Sequence, residues 1–415
     1  MSQTTDATIA ELTLDGFAHG GAAVGRLPDG KACFVEYAIP GERVRVRIVD
    51  DRRRWARGEL VEVLDASADR VAPPCPFFGP GRCGGCNLQH IAPARQAQLL
   101  ATVIADQLKR IGHIPLEGQV PVVRPHAGDG FGYRNRARFA VDASGRLAYR
   151  RAGSNDVIAV DDCPLLVDAG RDALRSIAAG WRDVREVELR IGGDGQPALV
   201  VTSTGGAVPL PTELPAAVIG PRWQPLRVPR IRFEVAGRTF HAGVTSFFQA
   251  SVAAAEQLVT LVRRMTAVTA GDHVLELYAG VGLFSAFLAG DGARVTAVEG
   301  NVRASADARN NTRGLDVTVV QTSVGPGVRL HRDRERVDAV VLDPPRRGAG
   351  QRVMSWIAGL EPHRVTYVSC DPATFARDAR VLTGAGYHLH EVVGVDQFTH
   401  TAHVELVAAF GRERV

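Results

Sequence analysis

Lysine is almost missing from this 415-residue chain: of 49 cationic residues, Lys31 and Lys109 alone are lysine and the rest are arginine. A bias that runs the whole length reflects coding composition rather than a phosphate-reading strategy. The net charge of +4 permits nucleic-acid binding without demanding it. Long apolar runs are also missing: no stretch reaches the ~18 consecutive apolar residues of a membrane-spanning helix, so no membrane partner is expected. Met1 to Asp6 carry neither a basic stretch nor an apolar core, so a secretory signal is not expected and a cytoplasmic location is. Six cysteines are too few for a disulfide scaffold and suit metal or catalytic roles better. Repeats and low-complexity tracts are absent. The remainder, 45% hydrophobic and 23% charged, is ordinary globular composition.

Three textures follow one another. Up to about Arg70 the chain reads as short strands: Val44-Arg45-Val46-Arg47-Ile48-Val49 alternates with the period of a half-buried strand, Glu59 to Leu64 reads as another, and Gly20-Gly21, Pro28-Asp29-Gly30 and Pro40-Gly41 mark turns. A small barrel is the expected outcome. After Pro73-Pro74 comes a Cys/Gly/Pro-rich loop, then a helix over 96–112 with Leu99, Leu100, Val103, Ile104, Leu108 and Ile111 at helical spacing and Gly112 as the stop. From about Val120 to Val235 short strands between Gly and Pro clusters predict a mainly antiparallel unit. From about Gly271 strands alternate with helices: 273–277, 294–299, 317–320, 337–342 and 365–369 are the expected strands of a parallel, doubly wound sheet.

The first of these strands runs into Tyr278-Ala279-Gly280-Val281-Gly282 and then a helix, a turn that lets a ligand approach bare backbone. Glu299 closes the second strand, where a carboxylate can accept both ribose hydroxyls of an adenosine group. Alone, the turn also fits a plain connection or a dinucleotide site. Position 285, however, is Ser rather than Gly or Ala, and S-adenosylmethionine, having no pyrophosphate, needs no tight phosphate turn. The fourth strand ends in Asp343-Pro344-Pro345-Arg346. The prolines fix a rigid edge that can hold a planar base, and a proline-rich turn with Asp343 as a backbone cap fits equally.

Ser369-Cys370-Asp371-Pro372 places a thiol at the C-terminal edge of the fifth strand, where a helix N-terminus favours the thiolate. A thiol with a methyl donor narrows the chemistry. The C5 of uracil does not take a methyl group unaided; thiolate addition at C6 makes C5 enolate-like, and a base must then remove the C5 proton. His403-Val404-Glu405 offers Glu405 as that base, a surface carboxylate being the plainer reading.

Cys75, Cys83 and Cys86, spaced C-x7-C-x2-C around Gly84-Gly85, can be completed by Cys163, and four thiolates suit a [4Fe–4S] cluster or zinc. The arginines at 43, 45, 47, 52, 53, 54 and 57, with Trp55 among them, form a face able to bind single-stranded RNA or simply a solvated charged strand. Phe131-Gly132-Tyr133-Arg134-Asn135-Arg136-Ala137-Arg138 is a second basic-aromatic patch.

In this order the motifs resemble those of the TRAM-domain RNA uracil-5 methyltransferases over nearly the whole chain. Phe247-Phe248-Gln249 is similar to that family's phenylalanine–glutamine motif, and Asp343-Pro344-Pro345-Arg346, Ser369-Cys370-Asp371-Pro372 and His403-Val404-Glu405 match further motifs. The resemblance implies Cys370 as nucleophile and Glu405 as base. It implies Gln249, Tyr278, Gly280, Glu299, Ser323 and Asp343 around S-adenosylmethionine or the uracil, and Phe247 with Arg45, Arg53 and Arg54 on RNA. It further implies a [4Fe–4S] cluster on the four cysteines, with zinc as the alternative and a first cysteine gap two residues longer than is common. Ser251, Ser323 and Leu283 depart from the family pattern. The expected architecture is α/β: an OB-like TRAM barrel over 1–72, a central antiparallel β domain over 73–91 and 121–238, and a Rossmann-like methyltransferase domain over 92–120 and 239–415. A monomer acting on ribosomal or transfer RNA is expected. The rival is an inactive iron–sulfur protein that binds RNA or senses redox state.

Overall fold

A computed structural model describes residues 8–205, 208–221, 225, 227–328 and 336–412. The signal reading of Met1 to Asp6 lies outside them. Strands β1 (Ile9–Phe17), β2 (Ala23–Arg26), β3 (Ala32–Val35), β4 (Arg43–Asp51) and β5 (Trp55–Asp65) close a barrel in the order β1-β2-β3-β5-β4. The alternation in β4 sends Val44 and Val46 inward onto Leu12, Leu14, Val35 and Ala56. Cys33, given no role by its sequence, fills this core, and burial pushes its thiol up to about 11.

Helix α1 (Pro93–Gln107) starts on a proline that fixes φ for its first turn, and runs on as one wider turn, Leu108–Gly112. It stops at His113 in the left-handed conformation, φ 55°, not at Gly112. Gly112 is instead a close-approach glycine: a Cβ there would lie 3.2 Å from the carbonyl of Ala376. Both flanks of α1 are apolar. Leu99 and Val103 pack on Phe17, Ile39, Leu88 and Ile91. Leu100, Ala101, Ile104 and Leu108 join the core of the C-terminal sheet. At about 1.5–3 kcal/mol per buried aliphatic side chain, α1 is a strong wedge between barrel and sheet.

Strand β6 (Val122–Val123) adds to the edge of that C-terminal sheet. The central sheet has the order β12-β11-β10-β7-β8-β9, from β7 (Arg136–Val141), β8 (Leu147–Arg150), β9 (Val157–Ala159), β10 (Val184–Ile191), β11 (Pro197–Ser203) and β12 (Ala216–Ile219). It is antiparallel except between β11 and β12. The helix α2 (Asp168–Ser176) on it, which the sequence reading did not expect, buries only Gly170, Ala173 and Leu174, too few for a helical stripe. A hairpin, β13 (Arg230–Val235) and β14 (Arg238–Gly243), packs with α3 (Val252–Thr266) against the C-terminal sheet.

That sheet is built from β15 (His273–Leu277), α4 (Leu283–Gly290), β16 (Arg294–Glu299), α5 (Val302–Asn311), β17 (Val317–Gln321), β18 (Ala339–Leu342), α6 (Gln351–Gly359), β19 (Arg364–Ser369), α7 (Pro372–Gly384), β20 (His388–Val395) and β21 (Glu405–Gly411). Its order is β17-β16-β15-β18-β19-β21-β20-β6. The strand order reverses between β15 and β18, so a crevice forms outside their C-terminal ends. The five strands expected to be parallel are parallel, and beyond them β21 runs antiparallel to both β19 and β20. Every residue of β21 is buried, so its run of apolar residues carries no mark of direction. Among the described residues no helix is long and apolar enough to cross a membrane.

The barrel is latched to the sheet at the β1–β2 turn. Gly20 O accepts from Asn87 Nδ2 at 2.9 Å, and Asn87 Oδ1 accepts from Ala402 N at 2.9 Å. Gly21 lies at φ +95°, where a Cβ would come within 2.7 Å of Asn87 Nδ2 and 2.8 Å of Ala402 Cβ. Gly21→Ala is therefore expected to destabilise the protein by about 2 kcal/mol, read as a lowered urea midpoint, whereas an unchanged midpoint would show that the latch yields freely.

Candidate active site

The turn after β15 holds Tyr278 in the left-handed region at φ 61°, a strained position for a bulky side chain. Gly280 and Gly282 follow at φ 55° and 81°. They serve different ends. A Cβ on Gly282 would press on Ala308 and Thr312 of the α5 end at 3.2 to 3.3 Å, whereas one on Gly280 would meet nothing within 4 Å. The first brings α4 against α5; the second leaves space for a ligand. Glu299 ties the turn down, its Oε2 accepting from Gly280 N at 2.9 Å and its Oε1 from Asn301 N at 2.6 Å. A carboxylate offers about four acceptor sites, so capacity remains for ribose hydroxyls.

Ser285, the residue that breaks the dinucleotide fingerprint, donates its hydroxyl to Glu276. Burial pushes Glu276 up to about 8 against that hydrogen bond, with Asp343 and Glu299 adding to the rise. Gln249 is buried, and its carbonyl accepts from Asn135 Nδ2 at 3.2 Å. The departure at Ser251 has a local cause: its side chain caps α3, accepting from Ala254 N at 3.0 Å. Leu283 is a buried first residue of α4, and Ser323 lies exposed beyond β17.

The antiparallel ladder brings the thiol and the carboxylate to the same end of the sheet. It closes with Ser369 opposite Leu406, Cys370 follows Ser369 directly, Glu405 precedes Leu406, and the charge of Glu405 bears on Cys370. Cys370 is half-buried at the strand edge rather than sealed in the core. The expected resting thiolate is not found: burial, then Glu405 and Asp343, push the thiol up to about 12, and Arg346 opposes them. The N-terminus of α7 is already engaged, because Asp371 caps it by accepting from Thr374 N at 2.8 Å. Burial pushes Asp343 up to about 7. Glu405 is held well above the usual carboxylate range by burial and by Asp343, against a hydrogen bond from Gln397 and the charge of Arg346.

Sequence reasoning missed the groups that surround this pair. Gln397 donates to Glu405 from a loop with no periodic signal. Asn87 anchors the same loop to the cysteine segment, with Asn87 N and Leu88 N donating to His400 O. Gln96, on the buried face of α1, accepts from His400 N at 2.9 Å. His19 of the barrel reaches Asp371 at 3.4 Å; the Gly20-Gly21 turn beside it was the available hint.

Cys75, Cys83, Cys86 and Cys163 converge from two segments, and Cys163 acts electrostatically on each of the other three. Gly85 N donates to Cys83 Sγ at 3.4 Å, Gln89 donates to Cys86, and the half-buried Arg134 lies close to Cys86. Among the described residues no three His, Cys, Asp or Glu side chains are arranged to hold a metal ion, so the thiols are neighbours short of a closed ligand set.

On the surface, Phe247 is exposed under the Arg136 guanidinium while Phe248 stacks inward on Phe233 at 4.0 Å. An open cavity of about 270 Å³ beside Phe247 is lined by Arg136, Arg138, Arg190 and Glu188. Arg45 is engaged in a cross-strand ladder with Glu11 and Glu62. Arg53 and Arg54, exposed at the β4–β5 turn, make no ion pair among the described residues. On the barrel, Arg43, Arg45 and Arg47 are thus paired with carboxylates while Arg53 and Arg54 are not, among the described residues.

Residues 3–61 match the TRAM domain family and residues 326–411 the tRNA (Uracil-5-)-methyltransferase family. An uncharacterized RNA methyltransferase of Streptomyces coelicolor is 35% identical over 96% of this chain and 92% of its own length. The 23S rRNA (uracil(1939)-C(5))-methyltransferase RlmD of Halomonas elongata is 35% identical over 95% of this chain and 88% of its own. The crystal structure of the Pyrococcus abyssi tRNA (uracil-54, C5)-methyltransferase in complex with S-adenosyl-L-homocysteine superposes with a TM-score of 0.74 at 25% identity, covering 97% of this chain and 100% of that one. Fold and site together define an S-adenosylmethionine-dependent RNA methyltransferase. Within that class the chain belongs to the RNA (uracil-C5) methyltransferase family.

The His19–Asp371 contact gives a pH signature. Asp371 raises His19 above 6.5, and His19 lowers Asp371 to about 2. The raised histidine stabilises fully below its ordinary 6.5 and loses that contribution as pH climbs through its folded value; the lowered aspartate stabilises above 3.8 and loses it as pH falls through about 2. The pair is partly exposed, so under about 1 kcal/mol is expected after screening. His19→Ala should lower the melting temperature near pH 5.5 by about 1–3 °C and leave it unchanged near pH 9.

Proposed function

We propose that this protein transfers a methyl group from S-adenosylmethionine to C5 of a uridine in ribosomal or transfer RNA through a covalent bond between Cys370 and C6. The observation that carries this is the β19–β21 register, which closes at Ser369 and Leu406 and so leaves Cys370 and Glu405 side by side at its end, with the charge of Glu405 bearing on the thiol. The turn at Gly280, Glu299 and the buried Glu276 fit an adenosine group, and Gln249, Tyr278 and Asp343 are assigned to the donor or the uracil. Ser323 is assigned to the rim of the donor site.

S-adenosylmethionine supplies an electrophilic methyl carbon on a positively charged sulfur. In the free protein burial shifts Asp343, Cys370 and Glu405 toward their neutral forms, and a cation among them favours their ionised forms. Cys370 as thiolate bonds to C6, and the electron pair displaced onto C5 attacks the methyl carbon, whose bond to the sulfonium sulfur breaks with its electron pair leaving on S-adenosylhomocysteine. Glu405 as carboxylate takes the C5 proton, the C5–C6 double bond re-forms, and Cys370 leaves as thiolate. A uridine paired in a duplex has to unstack to reach the thiol. Exposed Phe247 offers a ring on which a neighbouring base can stack, Arg136 and Arg138 offer charge beside it, and Arg53 and Arg54 extend contact onto the barrel. Arg45 is assigned a lesser share, being paired already.

With labelled S-adenosylmethionine and uridine-containing RNA, Cys370→Ala is expected to abolish label uptake. Glu405→Gln should slow turnover by about a hundredfold or more and trap an RNA–protein adduct stable to denaturation. Uptake unaffected by Cys370→Ala would overturn the mechanism. Uptake absent from the wild type on every RNA tried would favour the inactive RNA-binding reading.

For the four cysteines we propose a [4Fe–4S] cluster, supported by their convergence, the N–H donors on sulfur and the nearby Arg134 charge. It would brace the loop carrying Asn87, and no catalytic step passes through it. Protein purified without oxygen should contain about four irons and four acid-labile sulfides per chain. Zinc without sulfide would replace the cluster by the zinc alternative, and neither would leave four free thiols.

A further inference from the structure

The side chain of Gln397 is 1% exposed, on the loop between β20 and β21. Its Nε2 donates to Glu405 Oε2 at 2.6 Å, while its Oε1 is buried with no partner. Leaving a buried carbonyl unsatisfied costs about 1–3 kcal/mol, which an apolar side chain of similar shape would avoid. Packing alone therefore does not account for an amide here. The loop is also fixed. Gln397 O meets His126 Nε2 at 3.2 Å, Asp396 N donates to Val123 O at 2.8 Å, and Arg124 holds Asp396 at 3.0 Å. The amide is thus held against one carboxylate oxygen and is otherwise uncommitted.

We infer that Gln397 is the positioning residue of the proton-abstraction step: its N–H aims the Glu405 carboxyl group and favours the carboxylate that must take the C5 proton. The inference rests on the reading of Cys370 and Glu405 given above. The other titratable or charged groups facing Glu405 are Cys370 after β19 and Asp343 and Arg346 after β18. Asp343 disfavours a second negative charge, and Arg346 and the Gln397 donor oppose it. Removing the donor leaves Arg346 alone on the favourable side, so the carboxyl ionises at higher pH. Methyl transfer precedes proton removal, so the species that accumulates is the methylated RNA still bonded to Cys370.

The test compares wild type, Gln397→Leu and Gln397→Met with S-adenosylmethionine and a uridine-containing RNA that the wild type methylates. Three quantities are read: the pH profile of product release in single turnovers, the adduct surviving denaturation, and affinity for S-adenosylmethionine. Both variants are expected to move the acid limb of release upward by about one pH unit and to raise the adduct about tenfold near neutrality, with donor affinity unchanged. An acid limb and adduct level equal to wild type in either folded variant would overturn the inference while leaving the Cys370 mechanism standing. If the wild type forms no adduct that Cys370→Ala abolishes, the mechanism itself fails and this inference with it.

Discussion

The return of β21 antiparallel along β19 is the constraint on which the rest of the site depends. A parallel neighbour would bring another C-terminal edge to the crevice. The reversed strand brings its first residue instead: Leu406 pairs with Ser369, the last residue of β19, so Glu405 and Cys370 arrive together just beyond the closed end of the ladder. A slip of one residue would turn Glu405 to the other face of the sheet. Such a slip is resisted on both sides, because β21 also pairs with β20 along its length and all seven of its residues are buried. The register is thus fixed by hydrophobic burial far from the chemistry.

That arrangement crowds acids together. Glu276, Asp343, Cys370 and Glu405 share a crevice with little solvent, and burial holds each of them toward its neutral form. Neutrality is how the fold tolerates them, since isolated buried charges are far more costly. On the proposed mechanism a thiol near 12 is a poor nucleophile in the free protein, and a cationic methyl donor would relieve the repulsion from Glu405 and Asp343 that adds to burial in keeping it protonated.

Much of this was legible in the sequence, and the limit was physical. Strands of the C-terminal sheet were readable because burial on both faces makes them continuous apolar runs, as in Ala339–Leu342. The barrel was readable from the alternation of Arg43–Asp51. Cys370 and Glu299 stood out as candidates because strand ends followed by turns are where such folds carry ligands, and Glu405 stood out only through the His403-Val404-Glu405 motif. The direction of β21 was not, since an apolar run reads the same both ways. Nor were Gln397, Asn87 and His19. Each acts through a single polar contact between segments distant in sequence, and such contacts leave no periodicity. The engagement of Arg45 was equally hidden, because its acidic partners lie on two other strands.

Asn87 touches the barrel turn through Gly20 and the loop between β20 and β21 through Ala402 and His400. This makes the N-terminal barrel an uneasy candidate for transplantation. A chimaera that grafted a foreign barrel ahead of this catalytic domain would keep both cores intact yet lose the joint between them. Residues 19–21, Asn87 and residues 400–403 form a single inheritance unit scattered over the chain, and recombination between related genes would have to carry all three stretches together to preserve the fit.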